Sequence, residues 1–284
     1  MFYTRLKAPK LVHEYFERTG KNSVVEWWNP EQGDRASLLN QQIKLVINWI
    51  NDLINQSKQY RILEIGVGKG RVASVLWKSL KPAVKSKINY YGQDINKIML
   101  KKAKTRFKQE KIPILLFQGK ADTLPFGDSF FDIVICLETV VHLPLMKETL
   151  KEWKRVSKSG GVIISDVDNL FSFRRLLKSL FLYLSKLLGS KVEPKGNGIF
   201  KAYTLKEYKN LLSNAGFQIK KFYHLGFFTP IDISIAAFSF KPKNIYVIPP
   251  WLAKHLQKLN KFIENIYPFA YFSEYFISLV VKTP

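Results

Sequence analysis

The sequence is nearly free of cysteine. Cys136 is the only cysteine among 284 residues, so an internal disulfide is excluded, and its apolar surroundings fit a reducing cytosol. The chain also lacks a run of about 18 uncharged apolar residues, so we expect no membrane-spanning helix. Its first residues, MFYTRLKAPK, hold no uninterrupted apolar segment of the secretory type. We therefore expect a cytoplasmic protein.

Acidic residues are scarce as well. The chain has 22 Asp and Glu against 45 Lys and Arg, which gives a formal net charge of +23. This excess indicates an anionic partner (nucleic acid, an acidic membrane or a negatively charged substrate) or a lysine-rich surface that keeps the protein soluble. Hydrophobic residues make up 46% of the chain, which is enough for a packed core. The length suits one large domain with insertions.

Two common nucleotide-binding motifs are missing. The phosphate loop G-x-x-x-x-G-K-[ST] is absent, and the dinucleotide motif G-x-G-x-x-G fails because its third glycine position falls on Arg71. The stretch RILEIGVGKGRV, residues 61–72, instead places Gly66, Gly68 and Gly70 at alternate positions behind an apolar run. Glycine costs conformational entropy, so this spacing indicates positive φ angles or the close approach of a ligand to the backbone.

Apolar runs alternate with helical patterns through the middle of the chain. An amphipathic helix is predicted from Ala36 to about Gln56. Five apolar strands follow, in the order RILEIG, INYYGQD, PILLFQ, FDIVICL and GVIISDV. Strands that are apolar throughout and separated by helices predict a parallel sheet covered on both faces. Two final strands are predicted, QIKKFYHLGFF and YFISLVV, after a helix with a Thr204–Glu207 capping box.

The pattern apolar–apolar–Glu–apolar–Gly–x–Gly–x–Gly resembles motif I of the class I S-adenosylmethionine (SAM) methyltransferases. The resemblance continues in order through YYGQDIN, GKADTLPFGDSFFDIVICLETVVHL and LKEWKRVSKSGGVIISD, and so covers residues 60–168. It implies an α/β, Rossmann-like sheet of seven mostly parallel strands, with helices on both faces and the last strand antiparallel. Helical, aromatic-rich lid insertions are expected in addition.

On this resemblance the chain divides into four parts. A helical cap is predicted over residues 1–58 and the SAM-binding core over residues 59–168. An amphipathic lid is predicted over residues 169–202, and the rest of the sheet over residues 203–284, with a substrate cover at about 229–272. The aromatic segments 15–28 and 226–272 would form an apolar lid over the crevice.

The resemblance also implies which residues contact SAM. These are Glu64, Gly66, Val67, Gly68 and Gly70 around motif I, Asp94 and Ile95 at the ribose, and Ala121, Asp122 and Leu137 on the adenine side. Two of them have structural alternatives, since Glu64 could bond loop amides and Asp94 could form the turn after its strand. The chain departs from the family at Lys120, because a lysine has no acceptor for the adenine amino group.

The acceptor side follows the fourth strand. CLETVVHL resembles the corresponding segment of the ubiquinone-pathway O-methyltransferases, and Glu138 and His142 match its acidic and histidine positions. They are the predicted catalytic residues, with a helix-start residue bonded to a carbonyl as the alternative for His142. Val141 replaces a second glutamate, so no metal is expected. Asp166, Asp168 and Asn169 end the fifth strand and are expected to face the same crevice.

The function predicted is methyl transfer from SAM to an oxygen or nitrogen of a small or lipid-like apolar acceptor. One alternative is an RNA (tRNA or rRNA) methyltransferase, which the net charge favours. Against it, the lysines of residues 97–111 fall on the solvent side of a helix, and no Asn-Pro-Pro-aromatic motif follows the fourth strand. A second alternative is a protein that binds SAM without catalysis. The oligomeric state is left open.

Residues 170–188 form a separate amphipathic segment. They combine a leucine- and phenylalanine-rich stripe with Arg174, Arg175, Lys178 and Lys186 and contain no acidic residue. This pattern predicts either a lid helix with its basic side in water or a helix that lies on an anionic membrane. The two interpretations are compatible, because a lid in contact with a bilayer would admit a lipid acceptor.

Overall fold

The computed structural model describes residues 9–18, 36–55, 57–187, 201–227, 231–235, 243–248, 250–263 and 266–283. Its strands are β1 (Tyr60–Ile65), β2 (Ile88–Asp94), β3 (Ile114–Gln118), β4 (Phe131–Cys136), β5 (Ser157–Asp168), β6 (Phe217–Leu225), β7 (Ile231–Ile235), β8 (Lys243–Ile248) and β9 (Tyr275–Lys282). Its helices are α1 (Pro9–Arg18), α2 (Ala36–Leu53), α3 (Arg71–Ser79), α4 (Pro82–Lys85), α5 (Lys97–Glu110), α6 (Met146–Val156), α7 (Phe173–Leu187), α8 (Leu205–Asn214) and α9 (Pro250–Ile263). Most of the aromatic segment 15–28 lies outside the described residues.

Seven strands form one sheet in the order β3-β2-β1-β4-β5-β9-β6. The first five strands of the chain pair in parallel, and β9 runs antiparallel to both of its neighbours, β5 and β6. The predicted seven-stranded, mostly parallel sheet with an antiparallel last strand is therefore confirmed. The order reverses between β1 and β4, and parallel strands on either side of such a point leave a crevice at their carboxyl ends.

Helices cover both faces of the sheet, as predicted. Ile62 packs into a cluster with Ile43 and Val46 of α2, whereas the next residue, Leu63, packs into a cluster with Trp153 of α6 and Tyr208 of α8. The division follows from the strand geometry, because successive side chains point to opposite faces. All six residues of β4 are buried, which explains why that strand is apolar almost without interruption.

Local signals in the sequence fix several helix ends. The predicted capping box of α8 is present, since the Thr204 hydroxyl accepts from the Glu207 amide at 3.1 Å and the Glu207 carboxylate accepts from the Thr204 amide at 2.8 Å. Asn96 caps α5 in a similar way, because its Oδ1 accepts from the amides of Ile98 and Met99. These bonds satisfy amides that have no partner within the helix.

The C-terminal third contains a hairpin that the sequence analysis did not predict. β7 and β8 pair antiparallel outside the main sheet, α7 contacts β7, and α9 contacts β8. Within the described residues, no helix is both long enough and apolar enough to cross a bilayer. The four-part division of the chain remains a prediction.

Glu64 joins three elements beneath the glycine loop. It lies near the end of β1 with 3% of its surface exposed, and the Tyr90 hydroxyl of β2 donates to its Oε2 at 2.8 Å. The amide of Ala73 in α3 also bonds its carboxylate. Burial raises the pKa of Glu64 to about 7, against the opposing effect of the Tyr90 hydrogen bond and the Arg71 charge. The structural alternative for Glu64 thus has direct support, with a helix amide as the partner.

The raised pKa predicts how stability depends on pH. The pKa of Glu64 is 4.5 in the unfolded chain and about 7 in the folded protein, so the folded protein binds this proton more tightly. Protonation of Glu64 therefore contributes to the free energy of unfolding. The contribution is full below pH 4.5 and is lost as the pH rises to about 7. Glu64→Gln cannot ionise. We expect the difference in unfolding free energy between wild type and variant to shift by about 3 kcal/mol in favour of the variant from pH 5 to pH 8.

Urea unfolding at four pH values across that range measures this difference. Glu148→Gln, at an exposed position on α6, is the matched control and should give a constant difference from wild type. A constant difference for Glu64→Gln as well would contradict the raised pKa.

Candidate functional site

The loop after β1 contains three glycines with positive φ: 72° at Gly66, 52° at Gly68 and 80° at Gly70. Two of them are surrounded by side chains. A Cβ on Gly66 would overlap the side chain of Thr139, and a Cβ on Gly70 would overlap the ring of Phe107 in α5. Packing alone therefore explains why these two positions carry glycine.

Gly68 differs because the space beside it is open. A Cβ there would meet only the carbonyl oxygen of Gly66, at 3.9 Å. The Gly68 amide donates to Asp94 Oδ2 at 2.8 Å, which holds the loop in this shape. An open glycine at the carboxyl end of β1 forms a cradle that a side chain would fill. The residues present therefore fit the close approach of a ligand such as SAM.

Asp94 ends β2 beside this cradle. Its two oxygens accept the amides of Gly68 and Asn96, each at 2.8 Å, so the turn role considered for it is present. A carboxylate has about four acceptor positions, which leaves capacity for ribose hydroxyls. Burial raises the pKa of Asp94, against the opposing effect of its amide hydrogen bonds. Ribose binding stays a prediction.

The other predicted SAM contacts also follow the carboxyl ends of strands. After β3, the Gly119 amide donates to the Asp94 carbonyl at 3.1 Å and the Gln93 side chain donates to the Gly119 carbonyl. These bonds hold the loop that carries Ala121 and Asp122 close to β2. The remaining positions are Ile95 directly after β2, Val67 in the glycine loop and Leu137 directly after β4, of which the last two are buried.

Lys120 lies exposed at the start of the loop that carries Ala121 and Asp122. Asp122 is partly buried beside Thr123, whose hydroxyl lies 3.4 Å from its Oδ1. The carboxylate of Asp122 and the backbone carbonyl of Ala121 are acceptors in this loop, and contact with adenine stays a prediction.

On the acceptor side, Glu138 and Asp166 form a pair of carboxyl groups bridged by Gln42. The Gln42 side-chain amide donates to Glu138 Oε1 at 3.0 Å and to Asp166 Oδ2 at 2.9 Å. The Glu138 amide donates to Asp166 Oδ1 at 2.8 Å and fixes a backbone with φ of 55°, which is unusual for a glutamate. Strain of this kind is retained where the surroundings impose it, often at functional sites.

The surroundings of Asp166 favour its protonated form. Burial raises the pKa of Asp166 well above its ordinary value, and the neighbouring Glu138 charge and side-chain hydrogen bond raise it further. Two neighbouring carboxyl groups titrate as a pair, and the raised pKa of Asp166 favours a state in which one of them is protonated. In such an arrangement Glu138 can accept a proton, and the neighbouring Asp166 influences whether Glu138 is charged.

Glu138 and His142 have different partners. His142 lies in the short helical turn Val140–His142, and its ring packs on Phe16 of α1 with centroids 4.6 Å apart. The Asn96 side chain donates to the Phe16 carbonyl, so α1 lies over the loops that follow β2 and β4. α1 therefore covers the crevice, and His142 contacts that cover.

Only one of the three polar residues at the end of β5 joins the carboxyl pair. Asp168 forms an ion pair with Arg175 of α7, and the Asn169 side chain donates to the carbonyls of Tyr271 and Ser273, each at 2.7 Å. Asp168 and Asn169 therefore bond to α7 and to the segment before β9 instead of to the carboxyl pair.

Gln42 was missed by the sequence analysis, although a signal existed. It lies between Leu39 and Ile43 on the apolar face of α2 and is completely buried. A polar side chain on the inner face of an amphipathic helix requires a buried partner. Among the described residues, no group of three or more His, Cys, Asp or Glu side chains is placed to hold a metal ion.

An aromatic cavity of about 330 Å³ lies next to the end of β5. It borders Asn169, three residues beyond Asp166, and opens beside the segment before β9. Its lining is almost entirely apolar: Phe171, Leu205, Tyr267, Pro268, Tyr271, Phe272 and Phe276. Such a lining suits an apolar ring or chain.

Comparison with known proteins agrees with this geometry. Residues 63–165 match the family model described as a methyltransferase domain. The phthiotriol/phenolphthiotriol dimycocerosates methyltransferase of Mycobacterium tuberculosis is 36% identical over 102 residues, which are 36% of this chain and 35% of that protein. The demethylmenaquinone methyltransferase of Geobacillus kaustophilus is 29% identical over 150 residues, 50% of this chain and 62% of that protein. The chain thus spans less than two thirds of the length of either relative.

Solved structures share the fold across nearly the whole chain. Magnesium protoporphyrin IX methyltransferase from Synechocystis PCC 6803, with bound SAH, has a TM-score of 0.60 at 14% identity and covers 97% of this chain and 100% of its own. The [4+2]-cyclase SpnF has a TM-score of 0.58 at 16% identity and covers 99% and 97%. The fold therefore occurs with more than one reaction. With its glycine loop, its strand order and the sequence match, the chain carries over residues 63–165 a methyltransferase domain of the class I, SAM-dependent family.

Proposed function

We propose that this chain transfers a methyl group from SAM to an oxygen or nitrogen of a small or lipid-like apolar acceptor. The observation that carries the proposal is the position of the Glu138–Asp166 pair directly beside the glycine loop. Thr139, the residue after Glu138, fills the space against Gly66, so the proton-accepting pair and the open cradle at Gly68 adjoin. A methyl donor in the cradle and an acceptor at the pair would thus be neighbours.

One set of residues would hold SAM, and another would remove the proton from the acceptor. The cradle at Gly68 and the oxygens of Asp94 would hold SAM, which supplies an electrophilic methyl group on a sulfonium. Glu138, when ionised, would accept the proton that an acceptor O–H or N–H loses as it is methylated. Asp166 would keep its own proton and position Glu138 through the backbone amide, and α1 would exclude water from the crevice.

Two features favour an apolar acceptor. The aromatic cavity beside Asn169 offers no charged side chain to a substrate. The relatives named above act, by their names, on phthiotriol dimycocerosates and on demethylmenaquinone, which are lipid-like molecules.

RNA remains the second candidate because of the net charge of +23. The lysines that suggested it lie on α5, whose Ala103 and Phe107 are buried and leave the basic side in solvent. Lysines are common on the side of a helix that faces water, so these lysines do not require a nucleic acid as a partner. A protein that binds SAM without catalysis is the third candidate.

The cradle predicts a selective effect of a methyl group at Gly68. Gly68→Ala should lower the affinity for SAM and SAH at least tenfold, because the new Cβ occupies the space of the ligand. Gly160→Ala is the matched control, since Gly160 also has positive φ (69°) and open space around it. Both variants should lose about 1 kcal/mol of stability from the strained backbone, but only the first should lose affinity by titration calorimetry. Unchanged SAH affinity in a folded Gly68→Ala protein would remove the cradle from the proposal.

The class of acceptor is tested with methyl-labelled SAM. The purified chain, incubated with separate lipid, RNA and small-molecule extracts, should label the organic-soluble fractions. Label in the RNA fraction alone would favour the second candidate. SAM binding with no label in any fraction would favour the third.

The carboxyl pair predicts two separable effects on turnover of the labelled acceptor. Glu138→Gln should lower kcat by about 10²-fold or more, with the Kd for SAM within twofold of wild type. Asp166→Asn should remain active, because the amide resembles a protonated carboxyl and still accepts the Glu138 amide. Wild-type kcat should fall at alkaline pH, when Asp166 loses the proton that its raised pKa retains, whereas Asp166→Asn should show no such fall. An identical alkaline limb in both proteins would contradict the assigned role of Asp166.

A further inference from the structure

α7 has the opposite orientation from that of an ordinary surface helix. Its two arginines point inward: Arg174 forms an ion pair with Glu274, which is 2% exposed, and Arg175 forms one with Asp168. The expectation that these arginines belong to a basic side in water was wrong, because the end of β5 and the residue before β9 supply buried acidic partners. The ion pairs fix which side of the helix faces the protein.

The outward side of α7 is apolar. Five large side chains at spacings of three and four residues form one exposed stripe: Leu176, Leu180, Tyr183, Leu184 and Leu187. Leu180, Tyr183 and Leu187 expose 53%, 62% and 66% of their surfaces. Phe181, a phenylalanine of the predicted leucine- and phenylalanine-rich stripe, is by contrast half-buried. A soluble helix normally turns this kind of stripe toward the core.

A second exposed apolar segment is connected through Phe227 to the first residue of α7. Phe227 stacks on Phe173, the first residue of α7, with ring centroids 4.9 Å apart, and also packs on Phe269 at 5.8 Å. Residues 266–271 expose Ile266, Tyr267, Phe269 and Tyr271. This segment also lines the aromatic cavity described above, so the cavity opens beside it. We call the stripe of α7 and residues 266–271 together the apolar face.

We propose that the apolar face rests on an anionic lipid bilayer. Leucines and tyrosines together suit the boundary between acyl chains and head groups, where the tyrosine ring is buried and its hydroxyl stays hydrated. The positive charge of α7 and α9 favours an anionic lipid. Apart from the inward arginines, the sequences of α7 and α9 contribute Lys178, Lys186, Lys254, Lys258 and Lys261 and no acidic residue.

A second copy of this chain fits the apolar face less well. A two-fold contact would bring the same face of each protomer together and so place lysine-bearing, acid-free helices opposite each other. Each protomer would also carry a net charge of +23 toward the other. An anionic surface, by contrast, is attracted by the same charges that oppose self-association.

The inference deepens the proposed function, on which its biological meaning rests, because a bilayer at the apolar face would bring a lipid-like acceptor to the mouth of the cavity. Binding to the bilayer is nevertheless measurable without SAM or acceptor. Failure of the membrane contact and failure of methyl transfer are therefore distinguishable.

The test is sedimentation of the full chain with vesicles at low salt. Wild type should bind vesicles of phosphatidylcholine with one third phosphatidylserine at least tenfold more tightly than vesicles of phosphatidylcholine alone, and salt should weaken the binding. Leu180→Ser with Leu184→Ser should lower the affinity for the anionic vesicles at least tenfold, while SAH affinity stays within twofold. SAH affinity also reports that this double variant is folded.

Leu115→Ser is the matched control, because Leu115 is 58% exposed on the edge strand β3, away from the apolar face. It should bind vesicles as wild type does. Equal vesicle binding by wild type and the double variant would overturn the proposal, as would equal binding to anionic and neutral vesicles. A wild-type dimer in sedimentation analysis that the double variant converts to a monomer, without a change in vesicle binding, would assign the face to a second copy instead.

Discussion

The site depends on the hydrogen bonds between the glycine loop and the end of β2. The amides of Gly66 and Val67 both donate to the Gln93 carbonyl, at 2.8 and 2.9 Å, and the Gly68 amide donates to Asp94. Because these amides are directed at β2, the loop follows a wide path with positive φ at alternate residues and leaves the space beside Gly68 open. α3 then begins at Arg71, and the loop lies against the residues that follow β4. Both sides of the proposed reaction are thus placed by one set of backbone contacts.

The acceptor side is assembled from parts of the chain that are distant in sequence. Gln42 lies 96 residues before Glu138 and 124 residues before Asp166, yet its amide bridges the two carboxyl groups. The parallel pairing of β4 with β5 brings the two carboxyl groups to the same edge of the sheet. Burial and the neighbouring Glu138 charge then raise the pKa of Asp166 and so oppose two negative charges at this place. The cover provided by α1 and α2 is therefore part of the chemistry of the site as well as of its shape.

The two ion pairs of α7 show how buried charge selects one orientation of a helix. A helix with leucines on one side and arginines on the other is stable in water with the leucines inside, unless buried acidic groups require the arginines more strongly. Glu274 and Asp168 are such groups, and removal of their partners would leave carboxylates in a low dielectric. The outward leucines follow from this requirement, and they are the basis of the proposed membrane contact.

The sequence by itself determined the sheet, its helices, the capping box of α8 and the position of the glycine loop, because strand and helix periodicity and glycine spacing are local properties. It also placed the predicted SAM contacts at the ends of strands, since the carboxyl ends of parallel strands lie at the same edge of the sheet. Only the tertiary structure decided that Gly66 and Gly70 serve packing while Gly68 leaves a cradle, that Gln42 joins the carboxyl pair, and that Asp168 and Asn169 bond to other partners. It also decided which side of α7 is outside. Each of these depends on a contact with a residue that is distant in sequence, and local sequence patterns do not predict such contacts.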